Sequence, residues 1–344
     1  MITTLQIRNF RGLKEVSLRD LRRVNLLVGG NNTGKTSVLE ALTLLFGEGD
    51  AISELPVTFR SNQSGGNSGK NPDDRENFWQ WLFYDRDPAN RIEILATTDK
   101  RASMALKTLL IPEGDYANAP TVPALVRKAG NVGQEQRLVV FGTHELQLQG
   151  HTPQSDLRLS RLSIRPPHPV LDAEKYNQVA LESDGEVRFE QIMREVEPRL
   201  KRLRYAKLPG TNSPLVFADI GLSRAVPSTQ MGQAFNRILH IYAEILASKI
   251  NVLLIDEIEN GIFSESLPLI WKGLLAVCEQ QNVQIFATTH SRECVMAAHA
   301  AAEERGKDEL SVQRLQIVNG KVEAIRLGEQ HLEMAAEMGL EVRS

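Results

Sequence analysis

Three stretches hold residues whose types and order could do phosphate chemistry: GGNNTGKT at Gly29–Thr36, the pair Asp256-Glu257, and His290 within FATTHS. In the first, Gly29 and Gly34 enclose four residues and are followed by Lys35 and Thr36, the spacing of a phosphate-binding loop. Turn-forming glycines let successive backbone N–H groups curl round a polyphosphate at a helix N-terminus. Lys35 would reach the β and γ phosphates, and the Thr36 hydroxyl would take Mg2+. Hydrolysis at such a loop needs a second acidic group to hold the metal, and Asp256 supplies it. Glu257, pointing elsewhere, could polarise the attacking water as a general base. His290, at the sheet edge where ligands collect, would meet the γ phosphate, the alternative being the structural role a lone His more often has. The blander alternatives are a Gly-rich turn that binds nothing, and two carboxylates that end a strand and cap a helix. A zinc set could be written from Cys278, His290, Cys294 and His299, but it lacks paired CxxC knuckles.

Each of these groups needs an element to hold it. Val24–Val28 is an apolar run suited to a buried parallel strand, and Thr36–Phe46 has helix formers without Pro or Gly. Val252–Ile255 and Val283–Thr288 are two further apolar strands, ending at Asp256 and at Thr289-His290, with Trp271–Gln281 as the helix between them. Ligands of open α/β sheets collect at that edge. Gly232–Ala247 shows the helical repeat of a core helix, and Asn319-Gly320 sits between β-like runs as a hairpin turn.

Thr3–Phe10 and Leu13–Leu18 alternate and predict a small antiparallel platform. The Gly/Ser/Asn-rich tract Ser61–Asp74 marks the start of an insertion. Inside it, Arg91–Thr98, Arg137–Leu148 and Leu157–Arg165 read as strands of an antiparallel lid, and Ala173–Val179 and Arg188–Leu200 as helices. Phe78–Tyr84, FWQWLFY, reads as lid core, with base stacking as a second reading. The basic cluster Arg199, Lys201, Arg202, Arg204 and Lys207 reads as a solvated face or as a contact for phosphate or a partner.

With 344 residues, 24% charged and 42% hydrophobic, the chain has an ordinary globular composition and length for two domains or one with an insertion. Its net charge of -3 supplies no global field for nucleic acid, so any such contact must be local. Two cysteines exclude a disulfide framework. No apolar h-region opens the chain, and the most apolar later segment, Ile238–Ile255, is broken by His240, Glu244, Lys249 and Asn251. A cytoplasmic protein without a membrane span is expected.

GGNNTGKT, LLIDEIENGI and FATTHS, in this order after an IRNFRGL opening, resemble the ABC-type ATPase heads of the RecF and SMC group, and within it the prokaryotic OLD-like AAA ATPases. The resemblance implies an α/β P-loop NTPase of the ABC-ATPase type with an inserted antiparallel β/α lid. It divides the chain into a first core part (1–60), the lid region (61–209) and a second core part (210–344). It also implies ATP with Mg2+ between two heads of a homodimer or higher homo-oligomer. Asn32, Gly34, Lys35, Thr36 and Ser37 would line the phosphates, and Thr36 and Asp256 would hold the metal. Glu257 and His290 would be catalytic. A signature segment from one head would reach the γ phosphate held by the other, and Pro227–Gln233 matches its place, with Ser228 and Gly232 as the contact residues. Glu259-Asn260-Gly261 falls where a dimer-contact loop is expected, though a plain turn also explains it. Arg60 and Gln63 are the candidates for a Mg2+-sensing residue.

The sequence also departs from the family. It lacks the long coiled coils of SMC proteins, and the 55 residues after Thr289 are too few for the nuclease domain of many OLD-like proteins. The expectation is a sensor or scaffold that controls a separate effector in phage defence. The rivals are a RecF-like repair ATPase that binds DNA directly and a transporter motor, the latter disfavoured by the absence of a transporter-type signature.

Overall fold

A computed structural model describes residues 1–47, 80–100, 103–112, 121–129, 135–140, 149–150, 157–162, 168–207, 210, 213–328 and 331. In chain order the first elements are β1 (Ile2–Phe10), β2 (Leu13–Leu18), β3 (Val24–Val28), α1 (Lys35–Phe46), β4 (Glu93–Thr98), β5 (Ser103–Pro112), β6 (Thr121–Ala129), β7 (Glu135–Val140), β8 (Gln149–Gly150) and β9 (Leu159–Leu162). Then follow α2 (Pro169–Ala180), α3 (Gly185–Val196), β10 (Arg202–Lys207), β11 (Pro214–Asp219), β12 (Val226–Pro227), α4 (Gln233–Ala247) and β13 (Val252–Ile255). The chain continues with α5 (Leu267–Gln280), β14 (Gln284–Thr288), α6 (Arg292–Glu304), β15 (Leu310–Val318) and β16 (Lys321–Leu327).

The central sheet has the order β16-β15-β3-β14-β13-β9, with β15, β3, β14, β13 and β9 parallel and β16 antiparallel at the edge. The inner strands β3, β14 and β13 are buried at every position because both faces of the sheet are covered there. Alternation still assigns each side chain a face: Leu253, Ile255, Ile285 and Ala287 join the core under α2 to α6, while Val252, Leu254 and Phe286 face the core around α1. On the far side of α1 lies a second sheet of order β2-β1-β4-β5-β6-β7-β8, antiparallel throughout. The P-loop helix is therefore held between two sheets, and 11 of its 12 residues are buried.

Three expectations change here. The β1–β2 pair is not a separate platform: β1 also pairs with β4, so it and the strands after α1 share one sheet. Leu157–Arg165 is not a lid strand, since β9 pairs parallel with β13 in the central sheet, Leu254 opposite Arg161. The helix expected over Arg188–Leu200 spans Gly185–Val196, because Pro198 disfavours the helical conformation before it. Arg202, Arg204 and Lys207 consequently lie on β10, paired with β11. Ser61–Asp74, Arg60 and Gln63 lie outside the described residues.

Candidate functional site

The turn between β3 and α1 is built from backbone that few residues tolerate. Gly29 (φ 136), Asn32 (φ 60) and Gly34 (φ 90) all take positive φ, which curls the loop so that N–H groups face one concavity. A Cβ on Gly29 would lie 2.1 Å from the Leu315 carbonyl oxygen of β15, and one on Gly34 would lie 2.4 Å from Leu13 Cδ2. Inside the loop, Lys35 Nζ donates to the carbonyls of Gly29 at 2.9 Å and Gly30 at 2.7 Å. Burial lowers the Lys35 pKa, while the nearby Asp256, Glu257 and Glu259 oppose that shift.

Across from the loop, β13 delivers Asp256, which is 2% exposed. Thr288 Oγ1, at the end of β14, donates to Asp256 Oδ1, and the Thr36 hydroxyl lies 3.4 and 3.5 Å from its two oxygens. Burial pushes the Asp256 carboxyl above the ordinary range. Glu257 and Glu40 push the same way, and the hydroxyls of Thr288 and Thr36 oppose them. A carboxylate with two hydroxyls is a set of hard oxygen donors, which fits Mg2+.

Glu257 occupies the left-handed region (φ 49), a conformation costing roughly 1–2 kcal/mol for a residue with a side chain. Its N–H donates to Thr288 Oγ1 at 2.8 Å, and the next N–H, of Ile258, donates to the Thr288 carbonyl at 3.1 Å. Buried Arg237 of α4 donates to the carbonyls of Asp256 at 2.9 Å and Glu257 at 3.4 Å. This kink is what lets two consecutive carboxylates reach the same cavity from different directions. Glu259 fixes the neighbouring loop, its Oε1 accepting from the N–H groups of His290 at 2.7 Å and Ser291 at 3.1 Å.

Asn32, Gly34, Lys35, Thr36, Ser37, Asp256, Glu257 and His290 all line one cavity of about 720 Å³, together with Arg11, Trp81, Arg86 and others. Ser228 and Gly232 do not line it. Ser228 is buried in a 3-10 turn, and Gly232 precedes the first turn of α4. Gly261 packs against that first turn, where a Cβ would stand 3.0 Å from Gln233 Cβ, next to Gly232 in sequence. Cys278 and Cys294 are buried thiols, each pushed up to about 12 by burial. Among the described residues no three His, Cys, Asp or Glu side chains gather to hold a metal, so the zinc set is not assembled.

Sequence reasoning passed over Thr288, although it stands inside FATTHS, and over Arg237 and the Arg11–Glu40 ion pair. Arg11 Nε stands 2.9 Å from Glu40 Oε2, with both side chains buried.

Two family models match the chain: "AAA ATPase domain" over residues 1–100, and "AAA domain, putative AbiEii toxin, Type IV TA system" over residues 127–295. An "ATP/GTP phosphatase" of Helicobacter pylori is 22% identical, with 86% of each chain covered. A "DNA replication and repair protein RecF" of Nitrosococcus oceani is 57% identical over 44 residues, 13% of this chain and 12% of that one. Among solved structures, an SMC head bound to the C-winged helix domain of ScpA superposes with TM-score 0.51 at 10% identity, covering 98% of this chain and 99% of that one. An SMC head bound to the C-terminal domain of ScpA, derived from Pyrococcus furiosus, gives TM-score 0.50 at 12% identity with the same coverage.

A P-loop between two sheets, facing an acidic strand end across a cavity, defines an ATPase of the ABC type. Both matched family models describe AAA-type ATPase domains, which supports ATP hydrolysis as the activity, and the fold is similar to that of SMC ATPase heads.

Proposed function

We propose that this head binds ATP with Mg2+ in the cavity between the P-loop and Asp256, closes on a second copy around it, and uses turnover to control a separate effector. In this reading Asn32, Gly34, Lys35, Thr36 and Ser37 receive the phosphates, and Thr36 and Asp256 hold the metal, which neutralises phosphate charge when bound. Glu257 orients and deprotonates the attacking water, and His290 meets the γ phosphate. The observation that carries the reading is the contact of Thr36 and Thr288 with the buried Asp256 carboxylate, which ties the loop to the acidic strand end across a cavity wide enough for a nucleotide.

Ser228 and Gly232 lie off that cavity, which supports a role in trans: the segment that completes one site would come from the second copy. The SMC head structures, bound to ScpA, provide an analogy for a head that works with another protein. The OLD-like sequence pattern gives the finer placement, a cytoplasmic sensor or scaffold in phage defence. The second reading, a RecF-like ATPase that binds DNA directly, draws on the RecF match over 44 residues and on the basic strand β10.

The test is paired substitution. Lys35→Ala should weaken ATP binding by about tenfold or more, because the phosphates lose a charge-assisted partner. Glu257→Gln should keep binding while slowing turnover about 10²- to 10⁴-fold, since an amide cannot accept the proton. Calorimetry and phosphate release read the two separately. Wild-type turnover in Lys35→Ala would overturn the P-loop assignment.

A further inference from the structure

The residues assigned above account for the triphosphate end of the nucleotide and leave the base without a partner. The rest of the cavity lining includes Arg11, Trp81, Phe83, Arg86 and Val322. Of its two aromatic rings, Phe83 is 1% exposed and belongs to the core around α1, whereas Trp81 is 53% exposed. An exposed indole that lines the same cavity as the P-loop presents an aromatic surface to whatever enters it.

Trp81 is also held firmly relative to the P-loop. Phe83 forms an antiparallel bridge with Phe10, and Arg11 N–H donates to the Leu82 carbonyl at 2.7 Å. The Arg11 guanidinium reaches the Trp81 carbonyl at 3.4 Å and makes the buried ion pair with Glu40, a residue of the very helix that begins at Lys35. The segment after it turns back on itself through Asp85 (φ 57) and Arg86 (φ 56), two non-glycine residues in the left-handed region. That turn brings the Arg86 guanidinium over the Trp81 ring, 4.6 Å from its centroid. Strained backbone that returns a cation to an exposed ring is the kind of arrangement a ligand site retains.

We propose that Trp81, braced by Arg86, is the base platform of the nucleotide site and takes a purine by its face. The inference rests on the phosphate-site reading above. Every base offers a π face, so a stacking platform without edge contacts accepts ATP and GTP alike.

The experiment titrates the full chain with ATP, GTP and inorganic tripolyphosphate in the presence of Mg2+, comparing wild type, Trp81→Ala, Trp81→Phe and Lys35→Ala by calorimetry. Trp81→Ala should weaken ATP and GTP in parallel by about fivefold or more, the size of a lost base–aromatic stack, and leave tripolyphosphate within about twofold. Trp81→Phe, which keeps a ring, should retain most of the affinity for both nucleotides. Wild-type ATP affinity in Trp81→Ala overturns the platform, and so does an equal loss of ATP and tripolyphosphate, which would mean a disturbed loop. Lys35→Ala separates the two levels. If it loses all three ligands while Trp81→Ala loses none, the platform alone fails; if it binds ATP as wild type does, the phosphate site fails with it.

Discussion

Asp256 is a carboxylate kept where folding would rather have a neutral group. Burial raises its pKa, with Glu257 and Glu40 adding to the effect, so the native state holds the proton more tightly than the unfolded chain does. The sign follows from proton linkage. As pH rises from the ordinary carboxylate value through the raised native value, the folded state releases a proton it binds better than the unfolded state, and stability falls. Asp256→Asn removes that charge while its amide oxygen can still accept from Thr288. The substitution should therefore raise Tm at pH 7 by roughly 2–4 °C, while removing metal-dependent turnover. Thermal scans between pH 4 and pH 7 check it: the two proteins should melt together at the acid end and diverge as pH rises. A lower Tm for Asp256→Asn at pH 7 would show that the carboxylate's hydrogen bonds outweigh its burial cost.

Among the elements, the β3–loop–α1 unit places the strictest demands on residue type. Gly29→Ala meets both a positive φ and the Leu315 carbonyl at 2.1 Å, and backbone cannot move aside as a side chain can. It should cost about 2–3 kcal/mol or more, or displace the loop, whereas Gly30→Ala, whose nearest contact is Thr33 Cγ2 at 3.9 Å, should stay within about 0.5 kcal/mol. Denaturant unfolding of both variants measures the contrast. That unit was legible in sequence because its chemistry is local: glycine spacing, an apolar strand before it and helix formers after it. The same holds for β13, which spans Val252–Ile255 as read, and for the hairpin at Asn319 (φ 50) and Gly320 (φ 73). What escaped was long-range pairing. β9 has the alternation of a lid strand, yet its partner is β13, some 90 residues on, and no local pattern names a partner. Ser103–Pro112 and Thr121–Ala129 were not read as strands, since each mixes Lys, Thr or Pro into its apolar run. Trp81 stands in a run that the sequence reads as lid core, with base stacking as a second reading; its exposure depends on how the segment docks against β1 and α1.

For the molecule as a whole, Ser228 and Gly232 do not line the cavity, which fits the proposed closure on a second copy. Phe263, just past the turn that packs on this segment, is 77% exposed, and Leu222, just before it in sequence, is 61% exposed. Apolar side chains left in solvent beside a candidate contact loop are what a closing interface would cover. If ATP drives that closure, a partner that prefers one state must be bound or released in step with nucleotide, because the two equilibria are coupled in both directions. The chain should be expressed with the product of the neighbouring gene as wild type, Lys35→Ala and Glu257→Gln. Glu257→Gln with ATP and Mg2+ should accumulate the closed assembly in light scattering, and Lys35→Ala should not. Partner retention in pull-downs and cell survival under phage challenge should then separate the two variants. Identical retention and survival in all three proteins would reject effector control and return weight to direct DNA binding, for which affinity should fall steeply as salt is added.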